Sequence, residues 1–143
     1  MASGVAVHDE CVEAFTKIKL GHKFKYIIFR LSDDLKKIIV EESGGLEKTY
    51  DDFVNKLREA EGKRECRYGV FDVKFTFNNM QREKLAFFLW SPDCATIKQK
   101  MLYTSSMKAL KNKLVGIHVE VQCNDESDLA LSHVLEKCTE RYN

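Results

Sequence analysis

From Trp90 to Leu114 the chain reads WSPDCATIKQKMLYTSSMKALKNKL. The stretch is a strand end, a turn and a long helical region. Ser91 and Pro92 close the apolar run Leu85 to Trp90, because proline donates nothing to a sheet ladder and pre-sets a turn. Asp93 or Ser91 then caps the helix start. At about 100° per residue, Ala95, Leu102, Ser106, Ala109 and Leu110 share one side and form a core stripe. The opposite side carries Ile97, Lys100, Met101, Thr104, Lys108 and Lys111, with Lys98 at its rim. Two readings stand. In one, Ile97 and Met101 are apolar residues in a belt of lysines on an outward face, which marks a partner surface. In the other, the helix bends near Tyr103–Ser106, where Thr104, Ser105 and Ser106 cluster, and both residues turn inward. A long helix between two strands is a crossover, and it returns the chain to a parallel neighbour.

Working outward, Gly69 to Phe77 (GVFDVKFTF) is the cleanest strand. Phe71, Val73, Phe75 and Phe77 alternate with Asp72, Lys74 and Thr76, so one face is buried and the other less so. Asn78-Asn79-Met80-Gln81 turns it back into Leu85 to Trp90, whose unbroken apolar run predicts cover on both faces. Beyond the crossover, Ile117 to Gln122 alternates, with Ile117, Val119 and Val121 inward and His118 on the other face. Upstream, Phe24 to Leu31 and Leu35 to Val40 are rich in strand formers and flank Ser32-Asp33-Asp34, a hairpin turn. Ser43-Gly44-Gly45 reads as a loop. A first helix begins after Asp9, with Cys11, Phe15 and Ile18 on one face and Gly21 as its stop. Thr49 with Asp52 resembles a capping box for a helix carrying Phe53, Val54 and Leu57 inward. Asn124 to Ser127 caps a last helix striped by Leu131, Val134, Leu135 and Cys138. Residues 1–7 (MASGVAV) read as a flexible arm. The fold class is therefore α/β (α+β): a single domain over residues 1–143, with a central mixed sheet of five or six strands and helices on both faces.

Composition narrows the function. The 143 residues are 44% hydrophobic and 31% charged, with a formal charge of +1, so anion binding has to come from a local cluster. No basic-plus-apolar leader opens the chain, and the longest apolar run is far short of the about 20 residues that span a bilayer. A cytoplasmic protein is expected. Five cysteines, Cys11, Cys66, Cys94, Cys123 and Cys138, form no CxxC pair, which fits reduced thiols. Four histidines, His8, His22, His118 and His133, show no ligand spacing, so neither a metal nor another cofactor is expected.

Several stretches then align with one family. MASGVAV, ECRYGVFD (Glu65 to Asp72), FFLWSPD (Phe87 to Asp93), IKQKMLYTSS (Ile97 to Ser106) and ALKNKLVGI (Ala109 to Ile117) resemble the actin-depolymerising factor/cofilin family, in order and spacing over essentially the whole chain. The resemblance implies a non-enzymatic, monomeric protein that binds actin monomers and filaments. It implies preference for the ADP form, and severing and depolymerisation of filaments. It assigns the monomer-and-filament face to Ser3, Gly4, Val5, Lys98, Lys100, Met101, Lys111 and Lys113. It assigns the filament-specific face to Arg82, Lys84, Glu136 and Lys137. It makes Ser3 a regulatory phosphorylation site, since phosphate adds charge repulsion and a desolvation cost against an acidic partner. Lys98, Lys100, Lys108, Lys111 and Lys113 suit a phosphoinositide headgroup, which would compete with actin. Two positions depart from the family. Asn112 interrupts an often unbroken basic run, and Glu140 stands where a basic residue can occur, with Arg141 beside it. The basic nuclear-localisation run of some members is absent.

Other classes make different predictions. A phosphoinositide-binding regulator would keep lipid binding on loss of Met101 but not of the lysines. A thiol enzyme would need one low-pKa cysteine. A nucleic-acid binder is disfavoured by the near-neutral charge and the lack of an aromatic-basic stacking pattern.

Overall fold

The computed structural model describes residues 4–140. In chain order these form β1 (Ala6–Val7), α1 (Asp9–Lys19), β2 (Phe24–Leu31), β3 (Lys37–Gly45), α2 (Tyr50–Gly62), β4 (Arg67–Phe77), β5 (Met80–Trp90), α3 (Ile97–Lys113), β6 (Val119–Cys123) and α4 (Leu131–Thr139). A 3-10 turn, Glu126–Leu129, precedes α4. The sheet order is β1-β3-β2-β4-β5-β6. The β2–β3, β2–β4 and β4–β5 pairs are antiparallel, whereas β1–β3 and β5–β6 are parallel. The mixed sheet and the parallel return after α3 are as the sequence predicts.

Each face of the sheet buries its own apolar cluster. One holds Phe15 and Ile18 of α1, Tyr103 and Leu110 of α3, and Tyr68, Phe87 and Leu89 from the strands. The other holds Phe53 and Leu57 of α2, Val134 and Cys138 of α4, and Phe71, Phe88 and Trp90. Leu85–Trp90 contributes to both, because successive strand residues point to opposite faces.

Several boundaries differ from the sequence reading. Of the arm expected to be flexible over residues 1–7, the first three lie outside the described residues, and the rest is built into the fold: Val5 is 2% exposed, and Ala6–Val7 is an edge strand. Its burial is a tertiary contact that two residues cannot announce by periodicity. β3 runs on through Gly44 and Gly45, because the Tyr26 ring lies across Gly44, where an added Cβ would stand 2.4 Å from it. The β4–β5 hairpin closes on a two-residue turn, with Asn78 at φ +53° and Asn79 at φ +62°, so β5 begins at Met80. Asp72, placed on the less buried face, is 3% exposed, because α1 and its following turn cover that face too. Thr96, not Ser91 or Asp93, caps α3, and Asp125 caps the 3-10 turn rather than α4.

Candidate functional site

α3 is held to the sheet from its middle. The Tyr103 hydroxyl accepts the Leu31 N–H at 2.9 Å, and the Tyr68 hydroxyl donates to the Tyr103 carbonyl. Those two rings lie 4.9 Å apart, and Ser106, Leu110 and Leu114 complete the buried side. The helix start is also tied down: Thr96 Oγ1 accepts the Gln99 N–H, and Gln99 Oε1 accepts the Cys66 N–H at 3.2 Å. α3 is a continuous helix through Thr104-Ser105-Ser106, so the wheel keeps its phase. Ile97 and Met101 are accordingly 76% and 66% exposed. Of the two readings of their position, the outward one holds.

Around this apolar pair the lysines differ in what they do. Lys98, Lys108 and Lys113 are exposed. Lys100 Nζ donates to the Asp93 carbonyl at 2.8 Å. Lys111 forms an ion pair with Glu120 of β6, and that bond holds the Glu120 carboxyl below its ordinary range. Lys111 thus ties α3 to the β6 edge, and much of its charge is neutralised there. At the other end of the face, β1 packs directly against α3. Val5 is inside the core, Gly4 has φ +70° with open space beside it, and Ser3 lies outside the described residues.

A second surface lies on the α2/α4 side of the sheet. Arg82 and Lys84 share the face of β5 that continues into Ala86 and Phe88. Lys84 Nζ donates to the Cys138 carbonyl of α4 at 2.8 Å, a cation on the carbonyl end of a helix. Lys84, Lys137, Glu120 and Glu140 line one cleft of about 150 Å³. The structure thereby brings Lys84 and Lys137 together, while Glu136 faces solvent. It also sets Glu140 beside both lysines, so that departure falls within the basic patch.

Four of the five thiols, those of Cys11, Cys66, Cys123 and Cys138, are buried, whereas Cys94 is exposed. Burial pushes Cys11 and Cys123 up to about 12, and it raises Cys66 and Cys138. A nucleophile needs the opposite shift. One group escaped the sequence reading: His22, Asp72 and Glu83 bring donor atoms within 4.8 Å of one another. Their positions in the chain carry no spacing that marks them as a set. Among the described residues, no helix is long and apolar enough to cross a membrane.

Comparison with known proteins fits this geometry. Residues 4–139 match the family model described as cofilin/tropomyosin-type actin-binding protein. The chain is 44% identical over 135 residues to actophorin of Acanthamoeba castellanii, covering 94% of this chain and 95% of that protein. It is 40% identical to cofilin of Schizosaccharomyces pombe, covering 97% and 98%. The crystal structure of Streptomyces griseoflavus cofilin superposes with a TM-score of 0.86 at 42% identity, over 96% of this chain and 98% of that one. The solution structure of ADF/cofilin from Trypanosoma brucei does so at 0.77 and 34%, over 99% of each. The chain therefore belongs to the actin-depolymerising factor/cofilin family of actin-binding proteins.

Proposed function

We propose that this protein binds actin as monomer and as filament, prefers the ADP form, and severs and depolymerises filaments without being an enzyme. The observation that carries the reading is the outward pair Ile97 and Met101, set among Lys98, Lys100 and Lys108 on a helix fastened from beneath. A rigid apolar pair ringed by cations is suited to anchoring in an apolar cleft of an acidic partner. The β1–α3 surface, with Gly4, Lys98, Lys100, Met101, Lys111 and Lys113, serves both actin forms. Val5 acts from the core, by fixing where the arm enters. Arg82, Lys84, Glu136 and Lys137 add the contact made only in filaments. Phosphate on Ser3, the residue before Gly4 in the chain, adds about −2 charge and blocks the first surface. Phosphoinositide headgroups compete for the same lysines.

A second reading, a phosphoinositide-regulated monomer binder with weak severing, is favoured by two observations. Glu120 neutralises Lys111, and Glu140 lines the cleft of Lys84 and Lys137. Co-sedimentation with ADP-actin filaments separates the two. Protein in the pellet together with raised soluble actin supports the first. Complex formation with monomers, no pelleting and no shortening of filaments supports the second.

A further inference from the structure

Between the end of α1 and the β4–β5 hairpin lies a pocket of about 150 Å³, lined by Ile18, His22, Asp72, Glu83, Leu85 and His118 among others. It sits apart from α3's outward face and on the opposite side of the sheet from α4. Asp72 extends from the same face of β4 as Tyr68 and Val70, and Glu83 from the same face of β5 as Leu85 and Phe87. His22 is presented by the α1–β2 connection, in the left-handed region at φ +49°.

The chemistry of this pocket is incomplete as it stands. Asp72 is 3% exposed, and its carboxylate has neither a hydrogen bond nor an ion pair within the described residues. Burial and the nearby Glu83 both push its carboxyl up. Lys25 favours the charged form of Asp72, but its ammonium sits over the Phe71 ring, 5.2 Å from the centroid, and makes no ion pair with the carboxylate. Lys19 Nζ, at the pocket wall, is committed to the Val115 carbonyl at 2.7 Å. A carboxylate this buried and unpartnered either takes up a proton or is neutralised by a cation that reaches it through the pocket. The side chains that converge on it are a second carboxylate and an imidazole, which is a ligand set rather than a hydrogen-bonding set.

We infer that His22, Asp72 and Glu83 form a binding site for a divalent transition-metal ion of the zinc type. The donors lie within 4.8 Å of one another. Tetrahedral zinc, with bonds of about 2.1 Å, sets its ligands about 3.4 Å apart. His22 and Glu83 are exposed and can close that difference by rotation, while Asp72 is the fixed point. One nitrogen and two carboxylates without a thiolate suit zinc and its neighbours in the first row better than calcium or magnesium, which call for more oxygens. Three protein ligands leave a fourth position for water. The ion fastens the α1–β2 connection to the β4–β5 hairpin, whose other face carries Arg82 and Lys84.

The test is calorimetric titration of the full chain with Zn²⁺, paired with the absorption spectrum of the Co²⁺ form. One ion per chain is expected, with a Co²⁺ spectrum lacking thiolate charge-transfer bands and a melting midpoint that rises with added Zn²⁺. His22→Asn keeps a residue that tolerates the left-handed region. It and Glu83→Gln should each weaken binding by more than about tenfold, the scale of even outer-shell losses at metal sites. His22→Asn should also abolish the rise in midpoint. Asp72→Asn is the third arm, and the two exposed variants decide the matter if it does not fold. Absence of saturable binding, unchanged affinity in His22→Asn, or loss of binding in Cys94→Ser, which would move the site to the exposed thiol, each overturns the assignment.

Discussion

Single side chains here carry definite energetic roles. Tyr103 gives α3 its seat: the hydroxyl takes the Leu31 N–H in a buried setting. Tyr103→Phe leaves the ring in place and orphans that N–H. A buried donor without a partner costs about 1–3 kcal/mol, so urea unfolding should show a loss of that size at unchanged m-value. A full-sized loss of binding without a loss of stability would show that the hydroxyl serves something other than the seat. The Lys111–Glu120 pair sets a pH dependence. Lys111 holds the Glu120 carboxyl below its ordinary value of 4.5, so the unfolded chain binds that proton more readily than the folded one. Stability from the pair is present above the ordinary carboxylate range and is lost as pH falls through it and below. Both partners are about a third exposed, which limits the gain to about 0.2–1 kcal/mol. Glu120→Gln should lower the thermal midpoint at neutral pH, and the gap to the parent protein should close as pH falls through the ordinary carboxylate range and below. A gap that stayed constant with pH would mean that shape rather than charge is the cause.

Elements meet through positions that only contact explains. α2 lies on β4 where Gly69 leaves room for the Phe53 ring; an added Cβ would stand 2.6 Å from Phe53 Cζ. Phe53 is fully buried among Tyr26, Tyr50, Phe71 and Phe88, so it has nowhere to retreat. Gly69→Ala should therefore destabilise the protein by about 1–3 kcal/mol, read by urea unfolding, and a neutral result would mean that α2 rides higher on the sheet than described. The helix itself was legible: Thr49 and Asp52 complete a capping box, with each side chain satisfying the other's backbone N–H. So was the crossover, because Trp90-Ser91-Pro92 ends a strand and the alternation after Gly116 starts another. What stayed hidden depended on distant residues. Gly44 and Gly45 read as a loop until the Tyr26 ring is seen lying across Gly44. Alternation placed Asp72 on the open face, because a strand cannot report that the end of α1 and its following turn cover that position. Met80–Lys84 is polar and carries no period, and only pairing with β4 makes it a strand. Among the candidate binding residues, the exposure of Ile97 and Met101 turned on the helix keeping phase. The engagement of Lys111 by Glu120 joins residues on two elements that no helical wheel compares.

At the scale of the whole molecule, a formal charge of +1 provides no general attraction to an acidic partner, so any steering is local. The fold supplies two local surfaces. One joins β1, at one edge of the sheet, to the outward side of α3. The other joins β5 to α4 near the opposite edge, on the other face. Separation of this kind lets one protein hold a monomer with the first surface and reach a neighbouring subunit with the second. The proposed division of labour makes an asymmetric prediction. Met101→Ala combined with Lys98→Ala removes the anchor and an exposed cation from the first surface, and should weaken binding to monomers and filaments alike. Arg82→Ala combined with Lys84→Ala should weaken filament co-sedimentation and leave the monomer complex intact. Since Lys84 also holds the carbonyl end of α4, circular dichroism and a melting curve must show that the second variant is folded. The affinity lost by the first variant should shrink as salt rises, with the apolar part contributed by Met101 remaining. Equal losses from both pairs, in both assays, would make the two surfaces a single one and end the two-face assignment.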